Sequence, residues 1–168
     1  MIKKFLLAAL LIFPMFAVAQ DLKIGIVDVL DVMEKHPDYA AAQTTFLANQ
    51  KQYEDNYNKL AEEFKRLYDE YSQLADDTPQ TIRERKEHNL QEQQQKIQQY
   101  EQTIQQDLAR LQQELMQPIQ MKIQEAIQSV GQEERFSLIE VKDNQIVLYY
   151  AAPVVDVTPL VKAKLGIQ

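Results

Sequence analysis

Two long heptad patterns, separated by a short break, constrain the fold of this chain more than any other feature. The first pattern repeats at alternating steps of four and three residues and contains Tyr39, Gln43, Phe46, Gln50, Tyr53, Tyr57, Leu60, Phe64, Leu67, Tyr71 and Leu74. The second repeats in the same way and contains Leu90, Gln94, Ile97, Glu101, Ile104, Leu108, Leu111 and Leu115. Such spacing is typical of helices that pack along one seam as a coiled coil.

The break between the two patterns, ADDTPQ at residues 75–80, predicts a tight turn. Thr78 is a residue type that caps helices, and Pro79 at the first position of a new helix loses no hydrogen bond. At the far end, Gly131 tolerates the left-handed conformation that often terminates a helix. We therefore expect a first helix that begins at Pro37 and a second that ends at about Val130.

An antiparallel hairpin with its tip at this break places Leu60 opposite Gln94 and Tyr53 opposite Glu101 or Gln102. Pro118 lies inside the second helix, where it removes one intrahelical hydrogen bond and predicts a bend. Beyond it the apolar residues, Ile119, Ile123, Ile127 and Val130, step mostly by four and leave the heptad seam. The second helix therefore continues into a different packing environment.

The first nineteen residues have the pattern of a cleavable secretory signal. Lys3 and Lys4 precede an apolar run over residues 5–16, and Ala17 and Ala19 form the small-residue pair that precedes a cleavage site. The alternative is a membrane anchor, but the run is too short to cross about 30 Å of hydrocarbon. We expect cleavage after Ala19 and export of the mature chain.

Charge and cysteine content exclude several classes of protein. Removal of the signal leaves 16 basic residues against 25 acidic ones, a formal charge of −9. An acidic exported chain is poorly suited to nucleic acid, whose binding depends largely on neutralising phosphates. The chain has no cysteine. Disulfides and an acylated lipoprotein N-terminus are therefore excluded.

The two ends of the chain predict a small β-containing body. Residues 22–29, 136–141 and 146–150 are rich in β-branched and aromatic residues and predict three strands, the last two flanking a KDNQ turn. A short helix follows Thr158 and Pro159. Because such a body is small for an independent core, we expect oligomerisation through it. The predicted oligomerisation residues are Ile24, Ile26, Val27, Leu138, Ile139, Val141, Ile146, Leu148 and Tyr150.

Residues that could support catalysis are sparse. His36 precedes Pro37 at the start of a helix, and His88 lies off the seam. The three glycines are far apart and form no phosphate-binding loop. Asp28 and Asp31 more simply begin the turn from strand to helix. The sequence therefore predicts no enzyme, no metal site and no cofactor.

Adaptable side chains of the two long helices, outside the two heptad seams, are candidates for contact with unlike protein chains. These are Tyr68, Tyr100, Met116 and Met121, whose residue types fit many apolar partners. Ordinary helix packing is the alternative for each of them. The basic residues Arg83, Arg85 and Lys86 near the tip are interrupted by acids, which favours a solvated helix face over a lipid site.

With this layout, the chain resembles the Skp (OmpH-like) family of periplasmic chaperones. The resemblance covers IGIVDV, then HPDYAAAQ at the start of the first long helix, the glutamine-rich hairpin, and FSLIEVKDNQIVLYYAAPVVDVTPLVKAKLG. It implies an α+β fold in which a long antiparallel helical (coiled-coil) hairpin arm projects from a small β body, and three bodies form a shared β-barrel-like core in a homotrimer. The arm would be residues 37–118, and the body residues 20–36 and 119–168.

The resemblance also implies a function. Family members hold unfolded outer-membrane proteins between their arms without ATP and so prevent aggregation. The best-known members are strongly basic and contact anionic lipid or lipopolysaccharide, whereas this chain is acidic with a mixed arm tip, which argues against such a site here. The alternative function is a coiled-coil adaptor or spacer that links exported envelope proteins.

Overall fold

The computed structural model describes residues 22–143 and 146–167, so the predicted signal peptide of residues 1–19 lies outside the described residues. The elements in chain order are β1 (Ile24–Val27), α1 (Val29–Glu34), α2 (Pro37–Ser72), α3 (Gln80–Glu133), β2 (Leu138–Val141), β3 (Val155–Asp156) and α4 (Thr158–Leu165). Among the described helices, none is both long enough and apolar enough to span a bilayer.

The helices α2 and α3 form the predicted hairpin. With 36 residues, α2 is about 54 Å long, and the 54 residues of α3 give about 81 Å. At the start of α2, Nδ1 of His36 accepts a hydrogen bond from the Asp38 amide at 3.2 Å. Pro37 follows it in the first turn, where its missing N–H costs nothing. The arm therefore begins where the sequence predicts.

At the tip, the predicted role of Thr78 is wrong. The N-cap of α3 is Pro79, and no side chain caps this helix end. Instead the Pro79 carbonyl accepts hydrogen bonds from the amides of Ile82 and Arg83, at 3.0 and 3.2 Å. Thr78 lies one residue too early for its hydroxyl to reach the first turn, although its amide closes the turn onto the Ala75 carbonyl at 3.0 Å.

The predicted end of α3 at Gly131 is also wrong, because the helix continues to Glu133. Arg135 adopts the left-handed conformation, with φ of 57°. The Phe136 amide bonds the Gly131 carbonyl at 2.9 Å and the Arg135 amide bonds the Gln132 carbonyl at 3.3 Å. This is a Schellman motif with arginine in the position that usually holds glycine.

We expect Arg135→Gly to raise the free energy of unfolding by about 0.5–1 kcal/mol, because glycine relieves the left-handed strain but loses more chain entropy. Chemical denaturation at a fixed protein concentration measures the change. The matched control is Glu134→Gly, one residue earlier at φ −90°, where glycine relieves no strain and is expected to destabilise. Equal effects of the two substitutions would contradict the assignment of left-handed backbone strain to Arg135.

The sheet is parallel and has the order β2-β1-β3. Ile24 pairs with Leu138, and Gly25 pairs with both Ile139 and Val155. The whole arm is thus the crossover from β1 to β2, since parallel strands require a long connection.

Residues 146–150 form no strand in this chain, so the predicted strand there and the predicted hairpin around KDNQ are both wrong. Amides of Ile146 and Val147 instead bond the Asp143 carbonyl at 2.9 and 2.7 Å, which turns the chain away from β2. The second edge of β1 is occupied by β3. Apolar and β-branched composition identified a segment that forms no strand here and is largely exposed, with Leu148 86% exposed.

The hydrophobic core lies in the body, where the C-terminal part of α3 packs on the sheet, α1 and α4. From α3 it takes the buried residues Ile119, Ile123, Ala126 and Val130. These meet Val27, Val32, Val157 and Val161, which are also buried. The predicted change of packing environment after Pro118 is therefore confirmed.

Candidate functional site

The seam of the arm has the predicted antiparallel register. The side-chain amide of Gln93 donates to the Leu60 carbonyl at 3.1 Å, one residue from the predicted pairing of Leu60 with Gln94. Farther from the tip, the rings of Tyr53 and Tyr100 lie 6.3 Å apart between centroids in a tilted arrangement. The two helices therefore pack in register over most of the length of α2.

Two positions of the predicted α3 seam are shifted by one residue. Gln93 is buried, with 6% of its surface exposed, whereas Gln94 is exposed. In the same way Tyr100 faces α2, and Glu101 is exposed. At each position either of the two neighbouring residues keeps steps of three and four from the flanking seam residues Leu90, Ile97 and Ile104. The heptad pattern alone therefore does not distinguish them. Gln93 occupies the buried position because it can donate to a carbonyl of the facing helix.

The α2 seam shows the same shift. Ala42 is buried and Asn49 is half-buried, whereas the predicted seam residues Gln43 and Gln50 are exposed. The glutamines consequently lie on the surface of the arm.

Two tyrosines of α2 donate their hydroxyls to carboxylates of α3, and a third lies near one. Tyr53 donates to Asp107 at 3.1 Å, Tyr71 donates to Glu87, and Tyr57 lies near Glu101. In each case the neighbouring carboxylate is the main cause that raises the pKa of the phenol above its ordinary value. A phenolate opposite a carboxylate would replace a hydrogen bond with repulsion.

We expect the arm to lose stability at alkaline pH. A raised pKa in the folded state means that the contribution of these phenols is complete below pH 10 and is lost as the pH rises through the raised values. Replacing Tyr53, Tyr57 and Tyr71 with phenylalanine should lower stability below pH 10 and flatten the alkaline decline. Thermal unfolding followed by circular dichroism on both sides of pH 10 measures this.

The control is Tyr149→Phe, which removes a hydroxyl from a ring that is largely exposed in the body. This variant should keep the alkaline decline of the parent protein. An identical decline in the triple variant would show that the interhelical hydroxyls do not cause it.

The base of the arm holds an apolar groove of about 290 Å³ between α2 and α3. Tyr39, Phe46 and Leu47 line it from α2, and Leu115 and Met116 line it from α3. Gln43 and Gln112 complete its lining. Tyr39, Leu115 and Met116 also pack against the hydrophobic core, so the groove lies directly against the body.

The four predicted contact residues lie in three different environments. Met116 lines the groove, and Met121 lies exposed one turn farther along α3. Tyr68 is 55% exposed toward the tip. Tyr100 packs in the seam against Tyr53, and its hydroxyl is buried with no hydrogen-bond partner among the described residues. The structure therefore does not bring the four together. Of the groove residues of α2, Tyr39, Gln43 and Phe46 were missed because they coincide with the predicted heptad seam, and Leu47 was missed because it lies off that seam.

At the arm tip, two of the three predicted basic side chains contact neighbouring acids or carbonyls. Lys86 contacts Glu70, which also pairs with Arg66. The hydrogen bond from Lys86 is the main cause that lowers the pKa of Glu70. Arg83 donates to the Ala75 carbonyl at 3.3 Å. Arg83 and Lys86 are therefore engaged within the arm.

In the body, the predicted oligomerisation residues divide into a buried and an exposed set. Ile26 and Val27 are buried in the core, and Ile139 packs against it. The exposed members are Leu138, Val141, Ile146, Leu148 and Tyr150. A single chain therefore leaves a broad apolar surface around the sheet edge and the segment after β2.

The residues weighed for chemistry have structural roles. The Asp28 carboxylate caps α1 by accepting from the Asp31 amide at 3.0 Å. Asp31 contacts Lys162 of α4, and this hydrogen bond lowers the pKa of the carboxyl. His88 is exposed on α3 beside Glu92, at 3.8 Å. Within residues 22–143 and 146–167, no cluster of three metal-ligating side chains is present.

Comparison with known protein families gives a match over nearly the whole described chain. The family model described as "Outer membrane protein (OmpH-like)" matches residues 23–165, which include every helix and strand described above. No curated protein matches the chain. At the level of the family, the match supports a periplasmic, chaperone-type role connected with outer-membrane proteins. The chain belongs to the OmpH-like family, also called the Skp family.

Proposed function

We propose that the chain is an ATP-independent periplasmic holdase that sequesters unfolded outer-membrane proteins between helical arms and prevents their aggregation. The observation that carries the proposal is the arm itself, a long hairpin with a largely polar surface and an apolar groove at its base. Many weak contacts along such an arm add up to useful affinity without requiring one fixed client sequence.

The arm surface suits this role because it stays soluble when empty. Residues 91–106 read QEQQQKIQQYEQTIQQ, and most of their glutamines are exposed. Glutamine amides both donate and accept hydrogen bonds, so they can bond the backbone of an extended client. Ile97, Tyr100 and Ile104 anchor this segment to the seam. The glutamine-rich stretch is therefore an ordered helical part of the arm, with most of its glutamines on the surface.

Assembly of three copies through the body completes the proposal. The exposed apolar residues Leu138, Val141, Ile146 and Leu148 lie at the sheet edge or in the segment after β2, where further copies would cover them. A homotrimer built on a shared β core would hold three arms around one client space. Sedimentation at micromolar concentration tests this assembly, and a clean monomer would contradict it.

Light scattering during dilution of a denatured outer-membrane barrel tests the holdase itself. We expect equimolar trimer to delay the rise in turbidity for several unrelated barrels. A coiled-coil adaptor would instead bind one folded partner stoichiometrically and leave the turbidity unchanged. Failure to delay aggregation of every barrel tried would reject the holdase.

A further inference from the structure

The arm is divided along its length into an uncharged base and a charged outer part. Residues 39–50 of α2 include no Asp, Glu, Lys, Arg or His, whereas ten of the next 22 residues are charged. On the facing helix, residues 111–121 contain Glu114 as their only charged residue. The groove lies within this uncharged base. An occupant of the groove therefore meets little fixed charge from the arm beside it.

The hydroxyls beside the groove are already engaged. Thr44 donates its hydroxyl to the Ala40 carbonyl at 2.9 Å, and Thr45 donates to the Ala41 carbonyl at 3.0 Å. The Asn49 amide also bonds within its own helix, to the Thr45 carbonyl at 2.9 Å. These contacts reduce the polarity of the α2 surface around the groove. The lining residues of the groove that carry polar groups are Tyr39, Gln43 and Gln112.

The apolar lining is open to solvent on one side. Leu47 is 60% exposed although Phe46 beside it is half-buried in the seam. Tyr39 and Phe46 lie two turns apart, so the groove runs for about 10 Å along α2. An extended chain places alternate side chains about 7 Å apart on one face. The groove therefore has the length for two such side chains.

We propose that this groove binds an uncharged, extended client segment in which aromatic or aliphatic side chains alternate with small polar ones. The inference rests on the proposed function and names the part of a client that the arm base recognises. Two apolar side chains, at positions i and i+2, occupy the groove, and the amides of Gln43 and Gln112 bond the client backbone.

The strands of unfolded outer-membrane barrels match this chemistry. Each strand alternates apolar and polar residues over about ten positions, and aromatic residues flank its apolar band. Their lipid-facing side chains carry no charge, so they suit a groove whose surroundings are uncharged. A charged segment would gain nothing at the base and would lose hydration as it entered the groove.

Peptide binding to Leu47→Glu tests the inference. The probe is a fluorescent eleven-residue peptide in which Tyr and Val alternate with Thr and Asn, titrated against the full assembled protein. We expect Leu47→Glu to weaken binding by at least about fivefold, since the client would lose an apolar contact and desolvate a carboxylate. The matched control, Ala48→Glu, adds the same charge to an exposed neighbour outside the groove and should change binding by less than about twofold.

Salt dependence and crosslinking supply independent readouts. Binding of the uncharged peptide should change by less than about twofold between low and high salt, because no charge pair forms. A photoactivatable side chain in place of Leu47 should crosslink a denatured barrel more strongly than one in place of Ala48. Equal crosslinking, or equal effects of the two glutamate variants, would overturn the inference.

The same measurements separate this inference from the proposed function. If the unaltered protein delays aggregation but Leu47→Glu binds the peptide normally, the groove inference fails and the holdase stands. If the unaltered protein delays no aggregation, the holdase fails. Sedimentation of Leu47→Glu must show an unchanged oligomeric mass, because a smaller mass would assign the groove to a second copy of the chain and overturn the inference.

Discussion

Replacing Ile123 with alanine is expected to lower the free energy of unfolding by about 2–5 kcal/mol. Ile123 is 2% exposed and is the largest of the fully buried side chains described, at the centre of the α3 surface that packs on the body. Alanine would remove buried apolar atoms and leave a cavity that the sheet and α4 can close only in part. Chemical denaturation at a fixed protein concentration measures the loss, since oligomerisation makes stability depend on concentration.

The control for this substitution is Met121→Ala, two residues earlier on the same helix. Met121 is 53% exposed, so its truncation should change the free energy of unfolding by less than about 0.5 kcal/mol. Comparable losses from both variants would contradict the position of the core.

Gly25→Val is expected to lower the free energy of unfolding by about 3 kcal/mol, through overpacking. Gly25 lies in the middle of β1, between β2 and β3. A Cβ atom there would lie 3.0 Å from Cγ1 of Val157 and 3.2 Å from both Cγ1 of Ile139 and Cδ1 of Phe136. Val157 is fully buried, so it cannot move aside. The intrinsic preference of valine for strands does not compensate for these contacts.

Gly131→Ala provides a control of opposite sign. Gly131 lies inside α3, and an added Cβ would meet only the Ile139 Cδ1 atom, at an ordinary 3.4 Å. Alanine is favoured over glycine in a helix interior by about 1 kcal/mol, so this variant should be more stable than the parent. Destabilisation of both variants by the same amount would show that close packing at Gly25 is not the cause.

The hairpin arm was predictable because its information is local. Steps of four and three residues place apolar side chains on one helical face, and a turn near residues 75–80 then determines the antiparallel register. Pro37 and the apolar residues after Pro118 were placed correctly for the same reason. The one-residue shift to Gln93 and Tyr100 was not predictable, because either phase preserves the heptad and only the facing helix favours one of them.

The sheet shows the limit of composition. Residues 146–150 have strong strand composition, yet β1 pairs instead with the two residues of β3, and all pairs are parallel. Strand pairing joins residues that are far apart in sequence. The strand propensity of a segment therefore predicts that it could form a strand, but it does not predict which edge of β1 is free to pair with it. Likewise, Arg135 takes a left-handed position that favours glycine, because the packing of α3 on the body carries the helix past Gly131.

By itself, the sequence determined two long helices, their turn, the face on which they pack, and a family whose members are chaperones, since each of these depends on short-range spacing or on ordered motifs. The tertiary structure alone decided the sheet order, the glutamine buried in the seam and the apolar groove at the arm base. These three arise where segments distant in the chain meet. Their free energies depend on which neighbour is present, and residue type and spacing do not specify that neighbour.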